Sequence, residues 1–360
     1  MRDPWNDSEL ARRFAASARD SAARAPLNAA LATVIARRPN LSGLLAHAPD
    51  TQQLPVLLLA AIHALVLDET DHPLARWYPN LTDDARDPAD ADLAPTLEAF
   101  VEERAATVLE IVGSRHVQTN EVGRCALLVP AFALLSTPGT PLAHVDVGCS
   151  AGLTTLWPRF SYRYDDGPTI GDAAAPVRLT CGTEGTAPID LASTELPRCV
   201  AAIGIDAHPI DVGDADDARW LEACCWPDQA DRFHRLRAAI TMARADPPRL
   251  VRGDAVDEVG PALDALPADA HPVVTTTWAL NYLEPDRRRA FLDELGRIGR
   301  ERDLSYVHAE APALTPELDH PVDDADVHLT ALGLVTWRDG ERSARHLGST
   351  HPHGYWIRWA

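Results

Sequence analysis

The sequence predicts an α/β protein in which an all-α N-terminal domain precedes a mostly parallel β-sheet that ends in a C-terminal antiparallel hairpin. Three observations lead to this prediction. Ala- and Leu-rich stretches of helical period dominate the first 140 residues. After residue 142, short apolar segments alternate with segments of helix length, which is the pattern of βαβ units. The loop after the first apolar segment consists of small residues.

The N-terminal domain is predicted from apolar periodicity. Helical patterns occur at roughly 9–22, 27–38, 54–68, 94–113 and 120–135. One apolar stripe at helical spacing is formed by Leu97, Val101, Ala105, Val108 and Val112. The acidic, Pro-containing stretch 80–95 is interpreted as a surface loop, and residues 136–141 as a junction. We therefore predict a helical bundle at residues 1–140 and a second domain at residues 141–360.

The second domain is predicted from its alternating segments. Parallel strands are expected at 143–147, 201–205, 249–251, 272–277 and 304–309. A helix is expected at 285–300, with Phe291, Leu295 and Ile298 on one face. Segments 331–337 and 353–359, joined by a short polar connection, predict the closing antiparallel hairpin. This alternation is typical of a doubly wound, Rossmann-like sheet.

Residues 156–200 interrupt this alternation. Segments 161–167 and 177–181 look like short strands around turn residues, so we predict a β-rich insertion over the edge of the sheet. The insertion also explains why about 60 residues separate Asp146 from Asp206, which is more than a simple βαβ unit requires.

The composition excludes several classes of function. No Lys occurs in the chain, so all 33 basic residues are Arg. Walker-type nucleotide sites, pyridoxal enzymes and protein kinases each need a Lys and are therefore excluded. The net charge of -20 argues against a nucleic-acid partner, because phosphate backbones are bound by basic surfaces.

The cysteines and the apolar runs bear on location. The six cysteines show no C-x-x-C spacing, so neither a zinc site nor a disulfide framework is predicted. The longest apolar run, 54–67, contains His63 and is too short to span a bilayer, and residues 1–20 lack the apolar core of a signal peptide. We therefore expect a cytoplasmic protein with reduced thiols and no membrane partner.

The segment Asp146-Val147-Gly148-Cys149-Ser150-Ala151-Gly152 joins the first predicted strand to a predicted helix. Small residues there let the backbone approach a ligand closely, and the following helix would offer its positive N-terminal end. The acidic residue and the Gly-x-Ser-x-Gly pattern resemble the cofactor loop of class I methyltransferases, which bind S-adenosylmethionine (SAM). The same pattern is also that of a serine hydrolase elbow, with Ser150 as nucleophile and His351 or His353 as base. A purely structural tight turn is the third interpretation.

The surrounding sequence favours the cofactor interpretation. A nucleophile elbow follows strands that have already been laid down, whereas everything before residue 142 is predicted to be helical. A hydrolase also needs an upstream oxyanion loop, and no His-Gly-Gly-like segment precedes the loop.

Two further carboxylates follow later strands. Asp206 ends the second parallel strand, the position from which such folds bind ribose hydroxyls. Asp254, followed by Ala255, lies after the third strand and is expected to accept a hydrogen bond from the adenine amine. The alternative for each is a helix cap or a turn. Because ligands bind at the carboxyl ends of parallel strands, three successive carboxylates favour a cofactor site with Asp146.

Several segments resemble the bacterial domain-of-unknown-function 2332 family, and the resemblance runs through nearly the whole chain. The matching pieces are 118–124, 150–153, 204–206 with Pro209 and Asp211, 226–229, and His353-Gly354 before Trp359. The similarity to class I methyltransferases is limited to fold and loop, and it is an analogy.

Side chains after the fourth and fifth strands are candidates for chemistry. Trp278 is expected beside the cofactor, and Asn281 and Tyr282 in the acceptor pocket. His308 and Glu310 are expected to act as base and orienter for the acceptor, although a core His and a solvated Glu are equally compatible with the pattern.

Three other groups have open interpretations. Asn120, Glu121 and Arg124 either cap a helix or close over the cofactor. The segment 226–229, with Arg232 and Arg235, is either a packed turn or a substrate contact. His351 and His353 form an H-x-H pair, but without a nearby Cys or a helix-spaced partner no metal site is predicted.

These residues lead to one main hypothesis and two alternatives. The main hypothesis is a SAM-dependent methyltransferase that acts on a small-molecule acceptor, in which positioning supplies most of the rate enhancement. The alternatives are a serine hydrolase that uses Ser150 and a non-catalytic SAM-binding or interaction protein whose helical part is a partner surface. The acceptor and the oligomeric state do not follow from the sequence.

Overall fold

A computed structural model describes residues 4–185, 195–314 and 329–360. The chain divides into two compact units, each built from two segments. The first contains Met1–Thr119 and Val212–Arg237, and the second contains Asn120–Asp211 and Ala238–Ala360.

The described α-helices follow the apolar patterns of the sequence. They are α1 (Pro4–Ser21), α2 (Pro26–Ala36), α3 (Pro39–Ser42), α4 (Pro55–Asp68), α5 (Leu93–Glu103), α6 (Ala105–Ser114), α7 (Cys125–Leu135), α8 (Ala215–Ala223), α9 (Ala230–Ala245), α10 (Ala255–Asp264) and α11 (Pro285–Glu301). Helices α2, α3 and α4 begin at a proline, whose fixed φ and missing N–H suit the first helical position. None of the described helices has the length and apolar character needed to cross a bilayer.

A histidine fixes the packing inside the first unit. His63 on α4 is buried, with Nδ1 at 3.0 Å from the Ala223 carbonyl oxygen and Nε2 at 3.1 Å from the Asn80 amide nitrogen. Burial lowers the pKa of His63 to about 4, so the ring is neutral at physiological pH. The residue therefore joins α4 to the end of α8 as part of the core.

The second unit is built on one ten-stranded sheet. Its strands are β1 (Leu142–Val147), β2 (Ser161–Tyr164), β3 (Arg178–Gly185), β4 (Cys199–Asp206), β5 (Leu250–Arg252), β6 (His271–Thr277), β7 (Leu304–Glu310), β8 (Thr330–Arg338), β9 (Glu341–Thr350) and β10 (Trp356–Trp359). Their spatial order is β2-β3-β10-β9-β8-β7-β6-β1-β4-β5. The five strands from β7 to β5 are mutually parallel, and the direction of chain progression reverses at β1. The mostly parallel sheet predicted from the sequence is confirmed.

The two faces of the sheet are packed differently. One face buries an apolar cluster against α10 and α11, and Phe291, Leu295 and Ile298 of α11 belong to it. On the other face, Phe132 of α7 packs against His144 of β1 and Trp157, with ring centroids 5.4 and 4.7 Å away. The helix predicted at 285–300 therefore presents the expected side chains to the core.

The C-terminal hairpin differs in detail from the sequence prediction. The segment interpreted as a polar connection is itself strand β9, and the antiparallel hairpin is formed by β8 and β9. Strand β10 pairs antiparallel with β9 and parallel with β3. The first half of β9 is exposed, so it lacks the apolar alternation by which a strand is recognised.

Candidate functional site

The loop after β1 turns tightly at the centre of the parallel sheet. Gly148, Ser150 and Gly152 have φ values of 76°, 54° and 70°, so three of its five residues are left-handed. The amides of Gly148 and Cys149 donate to the Ile205 carbonyl oxygen at 2.8 and 3.1 Å, which ties the loop to β4. Small residues thus suit this loop, because residues with larger side chains rarely adopt a left-handed backbone conformation.

The glycines of this loop are also required by protein neighbours. A Cβ atom on Gly148 would lie 2.4 Å from the Ala279 Cβ, and one on Gly152 would lie 2.6 Å from the Leu250 Cδ2. The sequence predicts that small residues let a ligand approach the backbone closely. At these two positions the groups that approach the backbone are side chains of the protein, Ala279 and Leu250. Cys149 and Ala151 are buried beside the two glycines.

The element after the loop is not the α-helix that the sequence predicts. Residues Leu153–Arg159 form a 3₁₀-helix of seven residues that contains Pro158. Its first amide, Leu153 N, donates to Asn120 Oδ1 at 2.9 Å. Proline removes an amide from the ladder and so prevents a regular α-helix. The amide at the start of this helix is therefore hydrogen-bonded to a side chain of the protein.

Asp146 lies beneath the loop in a buried hydrogen-bond network. One carboxylate oxygen accepts from the Thr154 hydroxyl, and the other accepts from the Thr275 hydroxyl at 2.7 Å. His144 Nε2 lies 2.7 Å from that same Thr275 oxygen, and because the Thr275 proton is used, Nε2 is the donor. Burial lowers the pKa of His144 to about 3, so its ring is neutral. Burial also raises the pKa of Asp146 to about 6, against the two hydroxyl donors.

Asp206 connects the loop to the end of β4. Its two carboxylate oxygens accept from the amides of Ser150 and His208, each at 2.8 Å. Its carbonyl oxygen accepts from the Gly253 amide at 3.0 Å, which brings the end of β5 alongside. The structure thus brings Asp206 and the loop together, as the sequence predicts for a shared site.

Asp254 has the capping role that was the alternative interpretation of this residue. It caps α10, with Oδ1 accepting from the Val256 amide at 2.8 Å, and it forms an ion pair with Arg287. Ala255 is the first residue of that helix and is buried. The capping alternative is therefore realised, while the carboxylate remains at the same edge of the sheet as Asp206.

Glu310 is completely buried at the end of β7. One of its oxygens accepts from the amides of Ala279 and Leu280, at 2.9 and 3.3 Å. Burial raises the pKa of Glu310 to about 7, although these amides and the charge of Arg124 act in the opposite direction. The solvated glutamate considered from the sequence is not found, and Glu310 fixes the loop after β6.

Of the other residues predicted around the cofactor and the acceptor, Trp278, Asn281 and Tyr282 lie within this loop, and His308 lies on β7. Trp278 has a φ of 55°, and its indole nitrogen donates to the Thr330 hydroxyl at 2.8 Å. Asn281 and Tyr282 are exposed, Tyr282 by 69%. His308 is buried on the same face of β7 as Glu310, with its ring 5.4 Å from that of Tyr306.

Arg124 is a buried cation at the same edge of the sheet. Its guanidinium donates to the carbonyl oxygens of Pro352 and Thr277 at 2.9 and 2.8 Å. Its neighbour Glu121 lies 3.3 Å from His353 Nδ1. Arg124 and Glu121 therefore connect the segment 120–124 to the turn between β9 and β10 and to the end of β6.

Two groups considered from the sequence have structural contacts instead. Asp228 accepts from the amides of Leu27 and Asn28 at 2.7 and 3.0 Å and so caps α2 in the first unit. His351 Nδ1 accepts from the His353 amide at 3.1 Å. In the described ranges, no three His, Cys, Asp or Glu side chains are grouped so as to hold a metal ion.

Sequence reasoning missed the polar network around Asp146. Thr154, Thr275 and His144 were not among the candidates, because each lies in an otherwise apolar segment. The one available signal is the run Thr275-Thr276-Thr277 inside a buried strand, where three hydroxyls need partners.

Comparison with known proteins identifies a matching protein family. A family model described as an uncharacterized protein conserved in bacteria (DUF2332) matches residues 11–359. The resemblance noted from the sequence is confirmed over this range. No curated protein matches the chain.

Proposed function

The chain belongs to the DUF2332 family, and we propose that the carboxyl edge of its central strands binds SAM and that the protein transfers the methyl group to a small-molecule acceptor. The main support is one arrangement of residues. Asp146 and Asp206 lie at the carboxyl ends of β1 and β4, Asp254 comes just after the adjacent β5, and Asp206 accepts from an amide of the left-handed loop. The order of the parallel strands reverses at β1, and in open α/β sheets ligands bind where such a reversal occurs, which supports the proposal.

The carboxylates fit an adenosyl group to different degrees. Asp206 uses one acceptor site on each oxygen for an amide, so each oxygen keeps a further lone pair for a ribose hydroxyl. Asp254 keeps acceptor capacity for the adenine amine on the oxygen that Arg287 approaches at 3.4 Å. Asp146 is enclosed by Thr154 and Thr275, so in this proposal it supports the loop from below and does not contact the ligand.

The acceptor side of the proposal rests on the loop after β6. Bound SAM supplies an electrophilic methyl group on a sulfonium, so alignment of the acceptor is the main requirement. Glu310 positions this loop by accepting hydrogen bonds from two of its amides. Trp278, Asn281 and Tyr282 belong to the same loop. His308 is the proposed base for an acceptor that must lose a proton.

Binding is tested first and separately from turnover. Isothermal titration with SAM and with S-adenosylhomocysteine is expected to give dissociation constants on the order of micromolar. Asp206→Asn keeps the side-chain shape but removes the charge and one acceptor, and it should weaken binding at least tenfold. Asp264→Asn is the matched control, since Asp264 is 80% exposed at the far end of α10. Absence of binding at millimolar ligand would contradict the proposal, whereas binding without methylation of any extract component would favour the non-catalytic alternative.

One observation supports the serine hydrolase as a second candidate. Ser150 is left-handed with a φ of 54°, and a nucleophile elbow holds its Ser in a strained turn of this kind. Against it, the residue is only 3% exposed. Labelling with a fluorophosphonate that disappears in Ser150→Ala would establish this candidate, and absence of labelling would dismiss it.

A further inference from the structure

A cavity of about 560 Å³ lies between α11, strands β7 and β8 and the start of β9. We propose that it is a binding site for a small organic carboxylate with an apolar body. The inference goes beyond the proposed function: none of the carboxylates assigned to SAM lines the cavity, and although His308, the proposed base, is a lining residue, binding of a carboxylate here does not require that role. Its volume lies within the range of about 300–1,000 Å³ that is typical of small-molecule sites.

The charge around the cavity indicates an anionic ligand. Arg289, Arg300 and Arg342 line it, with Asp293 as the one lining carboxylate. Arg289 lies 3.6 Å from Asp286, but within the described parts of the chain neither Arg300 nor Arg342 has an ion-pair partner. In a chain of net charge -20, three guanidinium groups at one cavity form a locally positive region. Guanidinium groups bind carboxylates through paired hydrogen bonds.

The walls of the cavity indicate an apolar body. Leu295, Val335 and Trp337 line it and are buried, and together with Tyr306 they form an apolar floor. Removing apolar ligand surface from water against such a floor is favourable. A ring with a carboxylate at one end therefore matches the floor and the arginines together.

Two glycines of α11 determine the space above this floor. At Gly299 a Cβ atom would lie 2.2 Å from the Trp337 ring, so the helix is in close contact there. One turn earlier, a Cβ atom on Gly296 would meet only Arg300 Nη1, at 3.8 Å. The helix therefore contacts the sheet at Gly299 and leaves it open at Gly296, which lines the cavity.

The test uses 1-naphthoate as probe and its neutral amide, 1-naphthamide, in isothermal titration with the full chain. The carboxylate is expected to bind at least tenfold more tightly than the amide. The double variant Arg300→Gln/Arg342→Gln should remove this preference. Arg297→Gln is the charge control, because Arg297 lies on the same helix but is paired with Glu294 and Glu301.

A second variant tests the position of the site without weakening the fold. Gly296→Leu would fill the cavity, and since Leu favours helices more than Gly does, the melting temperature should not fall. Loss of naphthoate binding in this variant supports the assignment. Equal binding of acid and amide, or unchanged naphthoate binding in Gly296→Leu or in the double arginine variant, would overturn it. Neither result depends on SAM, so the cavity and the cofactor proposal fail independently.

Discussion

Asp146 and Glu310 are carboxylates that the fold removes from water. Each is buried at the carboxyl edge of the sheet, and burial is the largest influence on the pKa of each. The buried Arg124 acts on both in the opposite direction, because its positive charge stabilises the ionised forms. The edge that carries the candidate site thus contains two acids whose pKa values are raised by burial.

The raised pKa of Glu310 predicts a pH-dependent difference in stability. Its pKa rises from 4.5 to about 7 on folding, so between these values the folded state holds a proton that the unfolded state has lost. This contribution is present at low pH and is lost as pH rises through about 7. Glu310→Gln should match the wild type near pH 4, below the unfolded pKa, and exceed its free energy of unfolding by up to about 3 kcal/mol near pH 8. Urea denaturation at several pH values measures this difference.

The comparison must be made between variants, because the histidines act in the opposite sense. His63, His144 and His271 have pKa values lowered to about 4, 3 and 4, so each favours the folded state as pH rises toward 6.5. These contributions are common to both proteins and cancel in the difference. A difference that stays constant from pH 5 to pH 8 would show that Glu310 does not retain its proton on folding.

Thr275 offers a test of the network beneath the loop. Thr275→Val removes the hydroxyl that donates to Asp146 and accepts from His144, leaving two buried polar atoms without this partner. The expected loss is about 2–4 kcal/mol of unfolding free energy, measured in urea. Thr275→Ser keeps the hydroxyl and loses a methyl group, so it should lose only about 1 kcal/mol. Equal losses in the two variants would show that the methyl group matters and the hydroxyl does not.

The loop after β1 is the element whose conformation the sequence indicates best. Small residues at 148, 150 and 152 predict a tight turn, and all three are left-handed. What they approach is not visible in the sequence, because Ala279 and Leu250 lie more than 95 residues away along the chain. Likewise, Pro158 is a visible signal against a regular helix, but the Asn120 cap at Leu153 is a tertiary contact.

Comparison of two glycines distinguishes two contributions to the unfolding free energy lost on substitution: the strain of a left-handed backbone and the steric clash of an added Cβ atom. Gly139 and Gly148 have φ values of 87° and 76°, but a Cβ atom would meet nothing within 4 Å at Gly139 and Ala279 at 2.4 Å at Gly148. Gly139→Ala should cost about 1–2 kcal/mol of unfolding free energy. Gly148→Ala should cost about 1–3 kcal/mol more, because the loop must also move. Chemical denaturation of both variants checks this, and similar losses would mean that the loop yields without cost.

The strands differ in how well the sequence predicts them. Strands β1, β4, β6 and β7 were found because parallel strands covered on both faces are apolar runs. Strand β9 was missed, since its first five residues are all exposed and polar or small. The break between α5 and α6 at Arg104 was also missed, because the apolar stripe continues through both helices. Apolar periodicity in the sequence indicates which residues are buried. A strand whose side chains are exposed has no apolar alternation, so its pairing cannot be recognised in this way.

At the scale of the whole molecule, the contacts that define the site are long-range in sequence. Arg124 reaches Pro352, Asp146 reaches Thr275, and Glu121 lies beside His353. The sequence places carboxylates at strand ends through the general rule for parallel sheets, but it gives no distance between segments this far apart. The strand-end residues were therefore predictable, and their hydrogen-bond partners were not.

The interleaved chain of the first unit predicts how fragments behave. This unit includes Val212–Arg237, whose α8 ends at the Ala223 carbonyl that His63 approaches and whose Asp228 caps α2. A fragment of residues 1–140 lacks both contacts and should expose the apolar face of α4, so we expect no cooperative thermal transition by circular dichroism. Residues 1–119 fused to 212–245 through a flexible Gly/Ser linker of about 15 residues regain α8 and α9 and should unfold cooperatively. If the 1–140 fragment unfolded as sharply as the fusion, the segment beyond residue 211 would be dispensable, and a boundary at residue 140 would describe an independent domain.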